Sequence, residues 1–201
     1  RKQENNALEI FSNRMGVDCF RGSESDVLKR ITTVVKNYGA EIIVCLTGDN
    51  PFIDACLIDD MVTYYIDNDL DYLTTTHMAY APRWSMERTF PRGVTVQVVS
   101  AQALIETNGE KVSKEIRSHS TMAIYCQKDD RYQIGAFNAE GKYKSWRHPE
   151  LRMTVDFPED FEVADKIFCA LLPDNPHFST GQAIKFLSGR KDLQALNAKY
   201  L

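Results

Sequence analysis

Two helix-period segments, each followed at once by a short apolar run, constrain this chain more than any other feature. Val27, Leu28, Ile31, Val34, Val35 and Tyr38 recur at the spacing of one helical face, with Ser25 placed as N-cap and Gly39 as the stop. The following EIIVCLT is a β-branched apolar run that ends in Gly48, Asp49, Asn50 and Pro51, as a buried strand does on entering a loop. The helical period returns in Leu57, Ile58, Met61, Val62, Tyr65 and Ile66, with Asp54 as cap, and DYLTTT follows as the next strand. Helix and strand alternating at this distance predict an α/β chain with parallel-sheet crossovers.

Downstream, GVTVQVVS alternates like a half-exposed strand, RYQIGAFNA and LRMTVDF read as two more, and SKEIRSHSTMAIYC between them reads as helix, so the sheet is expected to be mixed. Pro158 opens a further helix carried by Phe161, Ala164, Ile167, Phe168 and Leu171, and two short helices near Ala183 and Leu193 finish the chain. No repeat, low-complexity tract or long Gly/Ser linker divides the sequence, which predicts a single domain over 1–201. His77 to Arg92, interrupted by Pro82 and Pro91, is the expected loop, placed to close over a ligand.

Composition narrows the function. No run of about 18 apolar residues is present, and RKQENNALEI lacks the apolar core of a secretory signal, so the expectation is a cytoplasmic protein without a membrane partner. A formal net charge of −4 argues against a nucleic-acid partner, whose binding rests on many Lys and Arg contacts to phosphate. The 5 cysteines are odd in number and form no C-x-x-C pair, which argues against a disulfide framework or a zinc site. Cys45 and Cys169, inside apolar runs, are expected as reduced core residues.

Ligands of open α/β sheets gather beyond the carboxyl ends of the strands, where Asp49 and Asp156 both fall. Each also has a plain structural explanation: Asp49 suits a turn, and Asp156, Glu159 and Asp160 crowd a helix start that favours negative charge.

FRGSESDVLKR, LTGDNPFIDACLID and LRMTVDFPEDFEV, in this order and spacing, resemble the cytidylyltransferases of spore coat polysaccharide biosynthesis, relatives of the 3-deoxy-manno-octulosonate and acylneuraminate cytidylyltransferases. The likeness runs from about Ala7 to the C-terminal end. It implies a three-layer nucleotide-diphospho-sugar transferase fold of the glycosyltransferase-A type with a mixed sheet, CTP and a sugar acceptor as substrates, Mg²⁺ as cofactor and a homodimer. On that resemblance Asp49 and Asp156 hold the metal and are catalytic, Arg30 lies on the nucleotide and sugar side with Ser23 and Asp26 in the loop before it, and Gly48 is a further cofactor-binding candidate. Arg117 and His119 stand where the family has R-E-H-V-T, here Arg117-Ser118-His119-Ser120-Thr121 without the glutamate, and are candidates for the substrate site. TFPRGVTVQVVS is similar to the family's Y-P-x-G-L-D-V-E-V strand beside the acceptor, which makes Gln97 a further candidate; Thr95 and Gln97 replace acids there, and Gly93 is retained for a backbone bend.

The family's first strand and its Gly, Arg and Lys triphosphate loop have no counterpart in the sequence, so the expectation is an N-terminally truncated domain. The implied reaction is attack of a sugar hydroxyl on the α-phosphorus of CTP with release of pyrophosphate, for surface polysaccharide biosynthesis. Two other readings stand beside it. One is a glycosyltransferase using the D-x-D letters of Asp69-Leu70-Asp71; the other is a catalytically inactive homologue serving as a dimerisation or scaffold module.

Overall fold

The computed structural model describes residues 6–75, 87–126 and 130–201. The expected loop from His77 to Arg92 therefore falls, over 77–86, outside the described residues. The chain divides into two compact units, one of residues 1–43 with 101–124 and one of residues 44–100 with 125–201.

The smaller unit contains α1 (Asn6–Arg14), α2 (Val27–Tyr38), α4 (Ala101–Gly109) and α5 (Lys114–Arg117). Helix α2 buries Leu28, Thr32 and Val35 against α4, which buries Ala101, Ala103, Leu104 and Thr107. Burial of one such aliphatic side chain is worth about 1.5–3 kcal/mol. Two threonines enter this interface because each returns its hydroxyl to its own helix, Thr32 to the Leu28 carbonyl at 2.7 Å and Thr107 to the Ala103 carbonyl at 2.8 Å. The N-cap of α2 is Asp26, not Ser25: the helix begins at Val27, and the Asp26 carboxylate accepts from the Lys29 N–H at 3.0 Å. Gly39 closes it in the left-handed conformation, φ 61°.

The larger unit is built on a mixed sheet of order β1-β3-β2-β4, from β1 (Ile42–Cys45), β2 (Tyr72–Thr74), β3 (Gln97–Ser100) and β4 (Ile134–Ala136); β1 begins in the smaller unit. Strand β2 pairs antiparallel with β3 and parallel with β4. Helix α3 (Ala55–Asp67), capped by Asp54 as expected, and α7 (Pro158–Leu171), α8 (Thr180–Ser188) and α9 (Lys191–Asn197) complete the unit. Leu57, Met61, Leu73, Val96, Val98, Met153, Val163, Ile167, Ile184 and Leu193 share its core.

The expected strands, and one helix, are shorter than their patterns, RYQIGAFNA being reduced to Ile134–Ala136, and three segments show why. GVTVQVVS is a strand only over Gln97–Ser100, because Thr75 uses its side chain where the ladder would continue, donating to the Val94 carbonyl at 2.8 Å and accepting from the Val96 N–H at 3.0 Å. LRMTVDF makes the single parallel bridge Arg92↔Arg152, because the partner segment turns at Gly93, φ 99°. SKEIRSHSTMAIYC splits into α5 and α6 (Met122–Tyr125), with the Ser118 hydroxyl bonding the Glu115 carbonyl at 2.6 Å where α5 ends.

Candidate active site

Beyond the end of β1 the chain turns through Thr47–Asn50, held by the Asn50 N–H on the Thr47 carbonyl at 3.1 Å and the Asn50 amide on the Thr47 hydroxyl at 2.7 Å. Asp49 sits in this turn. Its carbonyl accepts from the Val155 N–H at 2.8 Å and from the Thr154 hydroxyl at 3.2 Å, and that hydroxyl also lies 3.4 Å from the carboxylate Oδ2. Carboxylate Oδ1 is buried with no hydrogen-bond partner. A buried carboxylate oxygen without a donor carries a desolvation cost that something must offset, which is uncommon in a folded interior. The space above neighbouring Gly48 is open: a Cβ built there meets nothing within 4 Å.

The segment that holds Asp49 leads directly into Asp156, so both acids share one end of the larger unit. Asp156 is otherwise engaged than Asp49. Its Oδ2 accepts from Arg152 at 2.7 Å, and its side chain is 46% exposed. Arg152 is buried and fully occupied: Nε and Nη2 reach the two oxygens of Asp160 at 2.7 Å each, and Nη1 reaches the Tyr200 carbonyl at 3.2 Å. Its guanidinium also lies over Phe157 and Tyr200, 5.6 and 5.7 Å from the ring centroids, and those rings stack on one another. Burial by itself raises the pKa of the Asp160 carboxyl. Donors from Arg152, the Asp156 N–H, Asn197 and the Phe157 N–H overcome this and hold the carboxyl at about 2.

This network was not legible in the sequence beyond the acidic first turn of α7. Asp160 does cap that turn, accepting from Phe157 N–H at 3.1 Å, but its main partner is Arg152. Gln97 is half-buried on β3, in register with Thr74.

The remaining candidates, Ser23, Arg30, Arg117 and His119, belong to the smaller unit. The Ser23 hydroxyl accepts from the Asp26 N–H at 3.0 Å, and the Ser23 carbonyl accepts from Arg30 at 2.6 Å. Arg117 donates to Asp26 Oδ2 at 2.9 Å and to Asn108 Oδ1 at 2.7 Å. Burial raises the Asp26 pKa, but the Arg117 and Lys29 hydrogen bonds outweigh it and leave the group below the usual carboxylate value. His119 is exposed just past α5.

Two sequence readings are answered by contacts. The Asp69-Leu70-Asp71 letters form a turn, with Asp69 at φ 51° and Asp71 Oδ2 accepting from the Gln133 N–H at 2.9 Å beside β4. Cys169, expected in the core, is exposed because its position on α7 faces solvent, and Cys45 is half-buried. Burial pushes the Cys45 thiol up to about 11. Cys19, Cys45, Cys56 and Cys169 form no disulfide, and no helix among the described residues is long and apolar enough to cross a membrane.

The fit of a divalent cation rests on the Asp49 oxygen. Among the described residues no group of three or more His, Cys, Asp or Glu side chains is placed to hold a metal. Mg²⁺ needs less, since it is commonly bound by one or two carboxylates with water and phosphate oxygens supplying the rest. The unpartnered Asp49 Oδ1 fits that role, and Asp156 retains one oxygen outside its Arg152 contact.

The profile of the Cytidylyltransferase family matches residues 1–188. The chain belongs to the cytidylyltransferase family. It is similar to the spore coat polysaccharide biosynthesis protein SpsF of Bacillus subtilis, 28% identical over 191 residues that span 95% of this chain and 73% of that protein. It is also 31% identical to the uncharacterized protein MJ1063 of Methanocaldococcus jannaschii over 162 residues, covering 81% of this chain and 60% of that one. A solved cytidylyltransferase from Leptospira borgpetersenii superposes with a TM-score of 0.82 at 23% identity, over 96% of this chain and 75% of its own. That likeness establishes the α/β fold of this cytidylyltransferase.

Proposed function

We propose that the protein transfers CMP from CTP to a hydroxyl of a sugar, releasing pyrophosphate, in the biosynthesis of a surface polysaccharide. Family membership supports the nucleotidyl transfer, and the likeness to SpsF supports the polysaccharide setting. The observation that carries the site assignment is the buried, unpartnered Oδ1 of Asp49 beyond the carboxyl end of β1.

In this reading the sugar oxygen forms a bond to the α-phosphorus as the bond to the pyrophosphate oxygen breaks. The hydroxyl proton passes to solvent or to a phosphate oxygen, and no covalent enzyme intermediate is needed. Asp49 and Asp156 would hold Mg²⁺, which supplies charge stabilisation on phosphate oxygens when bound. The chain itself contributes position. Thr154 and Val155 fix Asp49 from the backbone, Arg152 orients Asp156, and Asp160 keeps Arg152 in place. Alignment of this kind accounts for much of the rate in phosphoryl-type transfers. The open space at Gly48 lets a phosphate approach the backbone.

The test is Asp49→Asn in an assay of pyrophosphate release from CTP with a panel of sugar acceptors. Loss of a metal-holding group lowers turnover by on the order of 100-fold or more. Because Oδ1 has no internal donor, removing the charge leaves the thermal midpoint unchanged or raised. Wild-type turnover in a folded Asp49→Asn protein rejects the assignment.

A further inference from the structure

Arg88 and Arg92 lie in one short stretch of the larger unit, and neither makes an ion pair or a side-chain hydrogen bond among the described residues. Both are half-buried, and the Nε of Arg92 is buried without an acceptor. Such a state is costly, because a buried charged donor loses its hydration and gains nothing in return. Burial, and then the Arg92 charge, draw the Arg88 pKa below its ordinary value, so the two cations sit close enough to oppose one another.

Glu87, Asp156 and Asp160 are committed elsewhere. Glu87, next in sequence, is largely exposed and meets Arg147 at 3.3 Å. Asp156 and Asp160 both serve Arg152.

The backbone that carries the pair is held firmly. Arg92 donates its N–H to the Leu151 carbonyl at 2.9 Å and accepts from the Met153 N–H at 2.6 Å. Thr89 is buried, with its hydroxyl accepting from the Ala139 N–H at 2.9 Å, and Phe90 is fully buried. The two arginine side chains thus rise from a fixed backbone frame. The frame is shared with Asp49, since Met153 binds the Arg92 backbone and Val155, two residues on, binds that of Asp49. An unmatched donor and an unmatched acceptor accordingly flank one segment, as suits a ligand that offers an anion to the first and a cation to the second.

We infer that Arg88 and Arg92 form an anion subsite that takes an oxyanion group of a substrate, either a phosphate of the nucleotide or the carboxylate of an acidic sugar. Guanidinium groups match such oxygens with paired N–H donors. The inference deepens the functional reading above. It rests on that reading for the identity of the anion, but not for the existence of the site.

The test is binding, without metal or turnover, so that a failure of the Asp49 assignment leaves it intact and the converse also holds. Thermal unfolding of the whole chain is followed against pyrophosphate and against N-acetylneuraminate, with sodium chloride at matched ionic strength as control. At about 100 times the dissociation constant a site of this kind raises the midpoint by about 5 °C or more. The expected result is a rise with at least one of the two probes. Arg88→Gln and Arg92→Gln abolish it, while each variant without anion melts no lower than the wild type because a repulsion has been relieved. Arg92→Lys, which keeps the charge but not the fork, retains part of the rise. A shift with pyrophosphate alone assigns the site to the nucleotide, and one with the sugar acid alone assigns it to the acceptor. The inference is overturned by no shift with either probe, by a shift that survives both glutamine variants, or by glutamine variants that melt well below the wild type, which would mark the arginines as structural.

Discussion

The Val155 N–H donates to the Asp49 carbonyl at 2.8 Å, joining the turn after β1 to the segment that leads into α7. The Thr154 hydroxyl adds a second hold on the same carbonyl, across 105 positions of sequence. The position of the Asp49 carboxylate is therefore set by side chains and backbone that do not carry the chemistry themselves.

Thr154→Val keeps the shape of this contact and removes its hydroxyl. One neutral hydrogen bond is worth about 1 kcal/mol, so denaturant unfolding is expected to show a loss of that order. Pyrophosphate release is expected to fall by about 10-fold or more, since partners that orient a metal-holding carboxylate have effects of this size. Unchanged turnover in the folded variant would mean that the Asp49 position matters little.

Asp160 is the keystone of the Arg152 network. Asp160→Asn leaves a buried guanidinium with half its charge compensation removed, and the expected loss is about 3 kcal/mol, measured by urea unfolding. The wild-type pH profile follows from the depressed carboxyl. The folded group has a pKa of about 2 against an ordinary value of 3.8, so its contribution is complete above about pH 5. It is lost as pH falls toward 2 and amounts to roughly 2 kcal/mol. The acid limb of the stability curve should flatten in Asp160→Asn. An identical limb in both proteins would show that other carboxylates dominate acid unfolding.

How much of this was legible beforehand differs from residue to residue. The periodicity of Val27 to Tyr38 and of Leu57 to Ile66 gave α2 and α3 within a residue or so, because each buries an aliphatic face. Helix α4 escaped detection: its buried face includes Thr107 and two alanines, and Thr107 is tolerated there only because its hydroxyl bonds Ala103. Helix α1 also went unread: Leu8, Ile10 and Phe11 lie at helical spacing, but the stretch is short and none of its residues is buried. At the site, the strand ends pointed to Asp49 and Asp156. The commitment of Asp156 to Arg152, and the uncompensated Arg88 and Arg92, depend on contacts that no local pattern encodes.

Cys45 offers a chemical check on the sheet. With its thiol at about 11, almost none is ionised at pH 8, whereas an ordinary free thiol is partly thiolate there. Iodoacetamide at pH 8 should modify Cys45 on the order of 100-fold more slowly than a free thiol, while the exposed Cys19, Cys56 and Cys169 react readily. Mass mapping of the alkylated peptides reads this directly, and early labelling of Cys45 would show that β1 opens in the native state.

Two glycines should respond in opposite ways to alanine. At Gly93 the backbone has φ 99°, and a Cβ would stand 2.3 Å from the Thr154 nitrogen and 2.6 Å from the Met153 carbonyl carbon, both backbone atoms with no room to yield. Gly93→Ala combines conformational strain with overpacking and is expected to cost about 3–5 kcal/mol, or to prevent soluble expression. Gly48 has no such neighbour, so Gly48→Ala should leave the thermal midpoint within a degree or two of the wild type or slightly above it. If phosphate oxygens approach the backbone at Gly48, the same methyl group must obstruct them. A raised KM for CTP in a fully stable Gly48→Ala protein is the expected outcome. An unaltered KM would place the nucleotide away from this turn and would leave Asp49 without its proposed partner.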